Sequence, residues 1–162
     1  MTATTDASTH HDDAPIRTIA EGVFRGRARS RDGEAIILAR PGTDYRVELI
    51  PASPVDAEPG ARLRGEIRVQ AARMDVIATG GKYIEPVDGP PRRVAGRIIA
   101  IDERANLVHV DAGPFPVACK PHKLQQASQF RVDQLVTMGV SPGAEFHPAP
   151  RQDAHPRAGR RD

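Results

Sequence analysis

The stretch EGVFRGRARSRDGEAIILA, Glu21 to Ala39, decides how this chain is read. Within it Arg25, Arg27, Arg29 and Arg31 alternate with Phe24, Gly26, Ala28 and Ser30. A period of two belongs to an extended strand, whose successive side chains point to opposite faces. The Asp32-Gly33 pair suits a tight hairpin turn, and EAIILAR (34–40) returns as the second strand. Gly26, inside the first strand, marks a sharp bend.

The same pattern continues outward. DYRVELI (44–50), ARLRGEIRVQ (61–70) and RMDVIA (73–78) read as three more strands, separated by a Pro-Gly turn and by the proline-broken loop PASPVDAEPG. The second half repeats the order over 93–102, 106–112, 115–120, 134–140 and 144–148. Gly26-Arg27 followed by Asp32 matches Gly96-Arg97 followed by Asp102. No segment carries an apolar stripe of helical period and length, although 121–130 can supply a short helical turn. The longest connection lies between strands three and four in each half.

These features predict an all-β chain of two tandem five-stranded barrels, 16–86 and 93–147, joined by a Pro/Gly-rich linker at 87–92. The tails 1–15 and 148–162 hold almost no large apolar side chain and are expected to be disordered. In TGGKYIEPVDGPPRR (79–93), Gly80-Gly81 permits a bend and Pro90-Pro91 a stiff, extended spacer. The spacing of a phosphate-binding P-loop is missing.

Five strands, a bent first strand and a long third-to-fourth connection resemble the OB-fold, a five-stranded Greek-key barrel. Through EGVFRGRARSRDGEAIILA the first half resembles nucleic-acid-binding OB and S1-type domains. The whole chain resembles bacterial proteins with two tandem β-barrels. A pair of SH3-like barrels is the structural rival. The OB resemblance implies that strands one and four are neighbours, which would merge two rows of arginine into one wall.

That wall is the sharpest functional feature. Arg25, Arg27 and Arg29 are expected on one face of strand one, and Arg62, Arg64 and Arg68 on one face of strand four. Lys82, Tyr83, Arg92 and Arg93 stand at the junction. Such a row would attract a polyanion with a steep salt dependence. The expected ligand is RNA or single-stranded DNA, bound weakly, because only six aromatic residues exist and Tyr83 alone is placed to stack on a base. Glu34, Glu48 and Glu66 are candidates to neutralise part of the row, which would leave it an ordinary solvated face. Only three of the 23 basic residues are lysine. That bias fits phosphate recognition, but a GC-rich coding sequence explains it as well.

A protein–protein scaffold is the alternative function. Ala95, Ile99 and Ile101 would form an apolar outer wall on the second barrel, with Ile99 and Ile101 meeting a partner. No nucleophile–base constellation appears, so no catalytic residue and no cofactor are assigned. Cys119 and His122 are close in CKPH, and His109 is a further candidate, yet a structural zinc needs four ligands and no second close pair appears. Cys119 is expected in the core, and His109 and His122 on the surface. The lone cysteine, the absence of a signal-like start and the lack of a long apolar run point to a cytoplasmic protein with no membrane association.

Overall fold

In the computed structural model, which describes residues 15–150, the alternating segments are strands. They are β1 (Ala20–Ser30), β2 (Gly33–Ala39), β3 (Arg46–Pro51), β4 (Arg62–Ile77), β5 (Tyr83–Glu85), β6 (Asp88–Gly89), β7 (Arg93–Asp102), β8 (Leu107–Asp111), β9 (Pro116–Lys120), β10 (Leu135–Val140) and β11 (Glu145–Pro148). A 3-10 turn, Ala127–Gln129, lies in the connection before β10. The fold is all-β, and all eleven strands belong to one sheet.

Strand pairing closes that sheet into two circuits that share β4. The first runs β1–β2–β3–β11–β4 and returns to β1; the second runs β4–β10–β7–β8–β9 and returns to β4. Each contains a single parallel pair, β3 with β11 and β9 with β4, and its other pairs are antiparallel.

The shared strand explains the arrangement. The sequence suggests two strands, 61–70 and 73–78, but nothing between Gln70 and Ile77 is glycine or proline, so the chain stays extended. A register shift opposite Gly139 and Val140 takes up the irregularity at Ala71–Arg73. The first part of β4 pairs with β1 and β11, and the later part with β10 and β9. In the second half Pro142, which has no N–H to donate, separates β10 from β11. β11 then leaves the second circuit and completes the first.

Pairing therefore crosses the expected 87–92 boundary in both directions. The first circuit takes its last strand from residues 145–148, and the second takes one of its strands from the first half. β5 also pairs across, with β7, while β6, inside the expected linker, pairs with β3. One buried cluster runs from Phe24, Leu38 and Leu49 through Ile67 and Met74 to Val94, Val110 and Met138. Pro148 and Ala149, expected in the tail, are held in place, since Pro148 ends β11 and Ala149 N donates to Arg64 O at 2.9 Å. The disorder expected of 1–14 and 151–162 lies outside the described residues.

The two halves repeat in structure, but in a different alignment from the sequence match. Gly22 and Gly96, not Gly26 and Gly96, hold equivalent places. A Cβ on either would collide with a carbonyl at the end of the neighbouring second strand, Ala39 O or Asp111 O. Just beyond each, after Phe24 and after Ile98, the first strand bulges. Gly26 itself adopts φ +110° within its bulge, a left-handed conformation that favours glycine. Among the described residues no helix is long and apolar enough to cross a membrane.

Candidate functional site

The bulge at Gly26 rearranges the arginine row. Before it, Phe24 lies opposite Leu38; after it, Arg27 lies opposite Ile36, and both partners are fully buried. Residues directly across an antiparallel pair share a face, so Arg27 leaves the side of Arg25 and joins that of Phe24. Its guanidinium carbon lies 5.5 Å from the Phe24 ring centre, and its Nη2 donates to Val55 O at 2.7 Å. Arg27 is thus a strut that holds the loop 52–61 against the end of the first circuit. Arg29 pairs with Glu34 at 3.0 Å, both side chains three-quarters exposed.

β1 and β4 are neighbours, as the resemblance implies, but only Ala20–Val23 face β4. The pairing ends before Arg25, so the two rows do not run side by side. On β4, Arg62, Arg64 and Arg68 do share a face, and Glu66 shares it with them. Arg64 Nε donates to Glu21 at 2.7 Å. Arg68 reaches Glu66 through both Nε and Nη2. Glu66, expected at the surface, is fully buried.

The junction residues lie elsewhere. Arg92 forks onto Asp32 with two bonds of 3.2 Å. That contact, reinforced by Gly143 N, holds the Asp32 carboxyl below its usual range against the opposing effect of burial. Lys82 bonds Asp111 at 2.8 Å and lowers its pKa likewise. Arg93 donates to Thr137, and Tyr83 is half-buried opposite Ala95 on β7. Gly143 precedes β11 and Pro150 follows it, so Arg92 and the far end of β11 are roughly 20 Å apart at the rise of extended chain.

At that far end lies a groove of about 570 Å³, lined by loop residues Pro54–Ala57, by Ala61–Arg64 and by Pro148–Pro150. Arg62 and Arg64 are the only sequence-predicted site residues that line it. The Arg62 side chain is exposed and has no hydrogen-bond or ion-pair partner among the described residues. Arg25 is likewise exposed and unpaired there, and stands beside the loop through the Gly60 N to Phe24 O bond. Sequence reading missed the proline-lined walls, since nothing in 52–61 announces that β11 will stand opposite.

The second circuit departs from expectation at its own bulge. With the register shifted between Ile98 and Ala100, Ile99 is 43% exposed, whereas Ile101 packs against the core and Ala95 is buried. The apolar wall of three residues is therefore reduced to Ile99. Val132 is also exposed near it, where Asp133 N bonds Ile98 O.

His109, expected at the surface, is fully buried, and burial holds its pKa below the ordinary value. Cys119 is buried with Val117, as expected, and burial pushes its thiol pKa up. Half-buried His122 accepts a bond from Leu124 N. Arg73 and Asp75 form an exposed ion pair of 3.0 Å. Among the described residues no three His, Cys, Asp or Glu side chains gather as a metal-holding group. No protein-family model, curated protein or solved structure matches this chain.

Proposed function

We propose that this chain is a non-catalytic binding module whose two circuits are OB-type barrels that exchange their last strands. Its ligand is single-stranded RNA or DNA, held weakly along the phosphate backbone at the first barrel. Several features support the OB reading in both circuits. Strand one neighbours strand four, a bulge bends strand one, and the longest connection joins strands three and four.

The observation that carries the ligand is the arginine pair at the groove. Arg62 on its lining and Arg25 at its loop are exposed and unpaired among the described residues, so binding a phosphate breaks no existing ion pair. Arg64, half-exposed, would trade Glu21 for phosphate. The lining has no aromatic residue, which favours backbone contact over base stacking. Fluorescence-anisotropy titration of labelled single strands, repeated across salt concentrations, tests this. Binding should weaken linearly on log–log axes, and Arg25→Glu with Arg62→Glu should abolish it. No binding at low salt would overturn the reading.

A protein scaffold is the second reading, favoured by the exposure of Ile99 and Val132. It predicts that Ile99→Asp removes a partner contact while nucleic-acid binding is unaffected.

A further inference from the structure

The segment before β1, residues 15–19, crosses from one circuit to the other as a strap. Ile16 N donates to Asp102 Oδ2 at 3.2 Å, at the end of β7. Thr18 Oγ1 and His109 Nδ1 share a hydrogen bond of 3.0 Å on β8. Ala20 then enters the ladder opposite Gly65 of β4. The strap is thus tied to the second circuit by two side chains and to the first by its continuation into β1.

Two unsatisfied groups lie on the sheet it crosses. Arg68, Ala118 and His109 form one row across β4, β9 and β8, with the small Ala118 in the middle. Glu66 is two residues from Arg68 on the same face of β4. Both Glu66 and His109 are fully buried, and Glu66 Oε2 and His109 Nε2 have no hydrogen-bond partner. A buried polar atom without a partner is costly and regains its bonds when water is admitted.

We propose that the strap is an acid-released latch: a proton taken up by His109 lifts residues 15–19 off the sheet, while both circuits remain closed. Neutral imidazole leaves one ring nitrogen for Thr18 and one unpaired. The imidazolium carries a hydrogen on each nitrogen, and in the closed state Nε2 has no acceptor. The charges acting on the ring are Glu66 and Asp102, which favour its protonation, and Arg68, which opposes it. Burial outweighs the two carboxylates, and the closed state therefore resists the proton. Lifting the strap hydrates the ring and Glu66 together. Asp102 holds its own charge through this range, because despite burial the N–H groups of Ala105 and Ile16 keep its pKa low. The strap's other anchor is therefore unchanged, and the acid response belongs to His109.

Amide hydrogen exchange of the full chain, at pH 7.5 and pH 5 and corrected for intrinsic exchange, tests the latch. The Ile16 amide should lose protection at the lower pH, because the open state takes up the proton more readily than the closed one. Core amides such as Leu38 and Val94 should hold theirs. In His109→Gln the strap should respond equally at both pH values. Should that variant not fold, Thr18→Val leaves the histidine in place, and its strap should already be open at pH 7.5. Unchanged strap protection in the wild type, an acid response that persists in His109→Gln, or core amides that lose protection with the strap would each overturn the proposal.

Discussion

Asp32 and Arg92, sixty residues apart, form a two-pronged contact that ties the first hairpin to the linker, and Gly143 N adds a third bond to the same carboxylate. Three segments that sequence places in different halves meet on one side chain, which is only 5% exposed.

Replacing Asp32 with Asn should cost about 1–3 kcal/mol, the range for leaving a buried, charge-assisted network incompletely paired. The pKa of Asp32 is lowered in the fold, chiefly by the Arg92 bond. Its contribution is therefore present above the unfolded carboxylate pKa and is lost as pH falls through the folded value. Urea unfolding at pH 7 and pH 3 should show a smaller loss with acid in Asp32→Asn than in the wild type.

The exchange of strands predicts that the halves do not fold alone. A fragment of residues 15–92 lacks β11, which leaves unpaired backbone on β3 and β4 and removes the fully buried Phe146. Its later part of β4 also loses β10 and β9. The fragment should give poorly dispersed amide resonances, and mixing it with residues 93–162 should restore the dispersion. A well-dispersed spectrum from the first fragment alone would count against the exchange.

The strands themselves were legible in the sequence because alternation and turn residues act locally. The Asp32-Gly33 hairpin and the short turn within 121–130 are of this kind. What local pattern does not encode is which distant edge a strand will meet, so β11 was read as closing the second barrel. Strict alternation also misplaced side chains wherever the strand bulges. At Gly26 and after Ile98 one extra residue reverses the faces, sending Arg27 over Phe24 and Ile101 toward the core. Glu66 and His109 were read as surface residues because burial of a polar group depends on what crosses over it. Of the expected wall, Arg62 and Arg64 line the groove, Arg25 stands beside its loop, and Arg27 braces the loop from the Phe24 face.

Arg68 and Glu66 should behave as a unit. Arg68→Met leaves a fully buried carboxylate without its counter-charge and should cost about 3 kcal/mol or more. Adding Glu66→Gln should recover much of that loss, because the remaining group is neutral. A double-mutant cycle by urea denaturation reads the coupling; additive losses would mean that the pair contributes little.

On the proposed single-strand binding, Arg27 and Arg62 should separate when binding is followed against salt. Arg62 has no partner to give up among the described residues, so Arg62→Ala should remove a phosphate contact and reduce the log–log slope by about 0.7. Arg27 is occupied by Val55 O and the Phe24 ring, and it shapes the groove wall without facing the ligand as a free charge. Arg27→Ala should therefore loosen the 52–61 loop and weaken binding while leaving the slope unchanged. Equal changes of slope in both variants would show that Arg27 leaves its strut to meet the backbone, and that the loop is not held by it in the bound state.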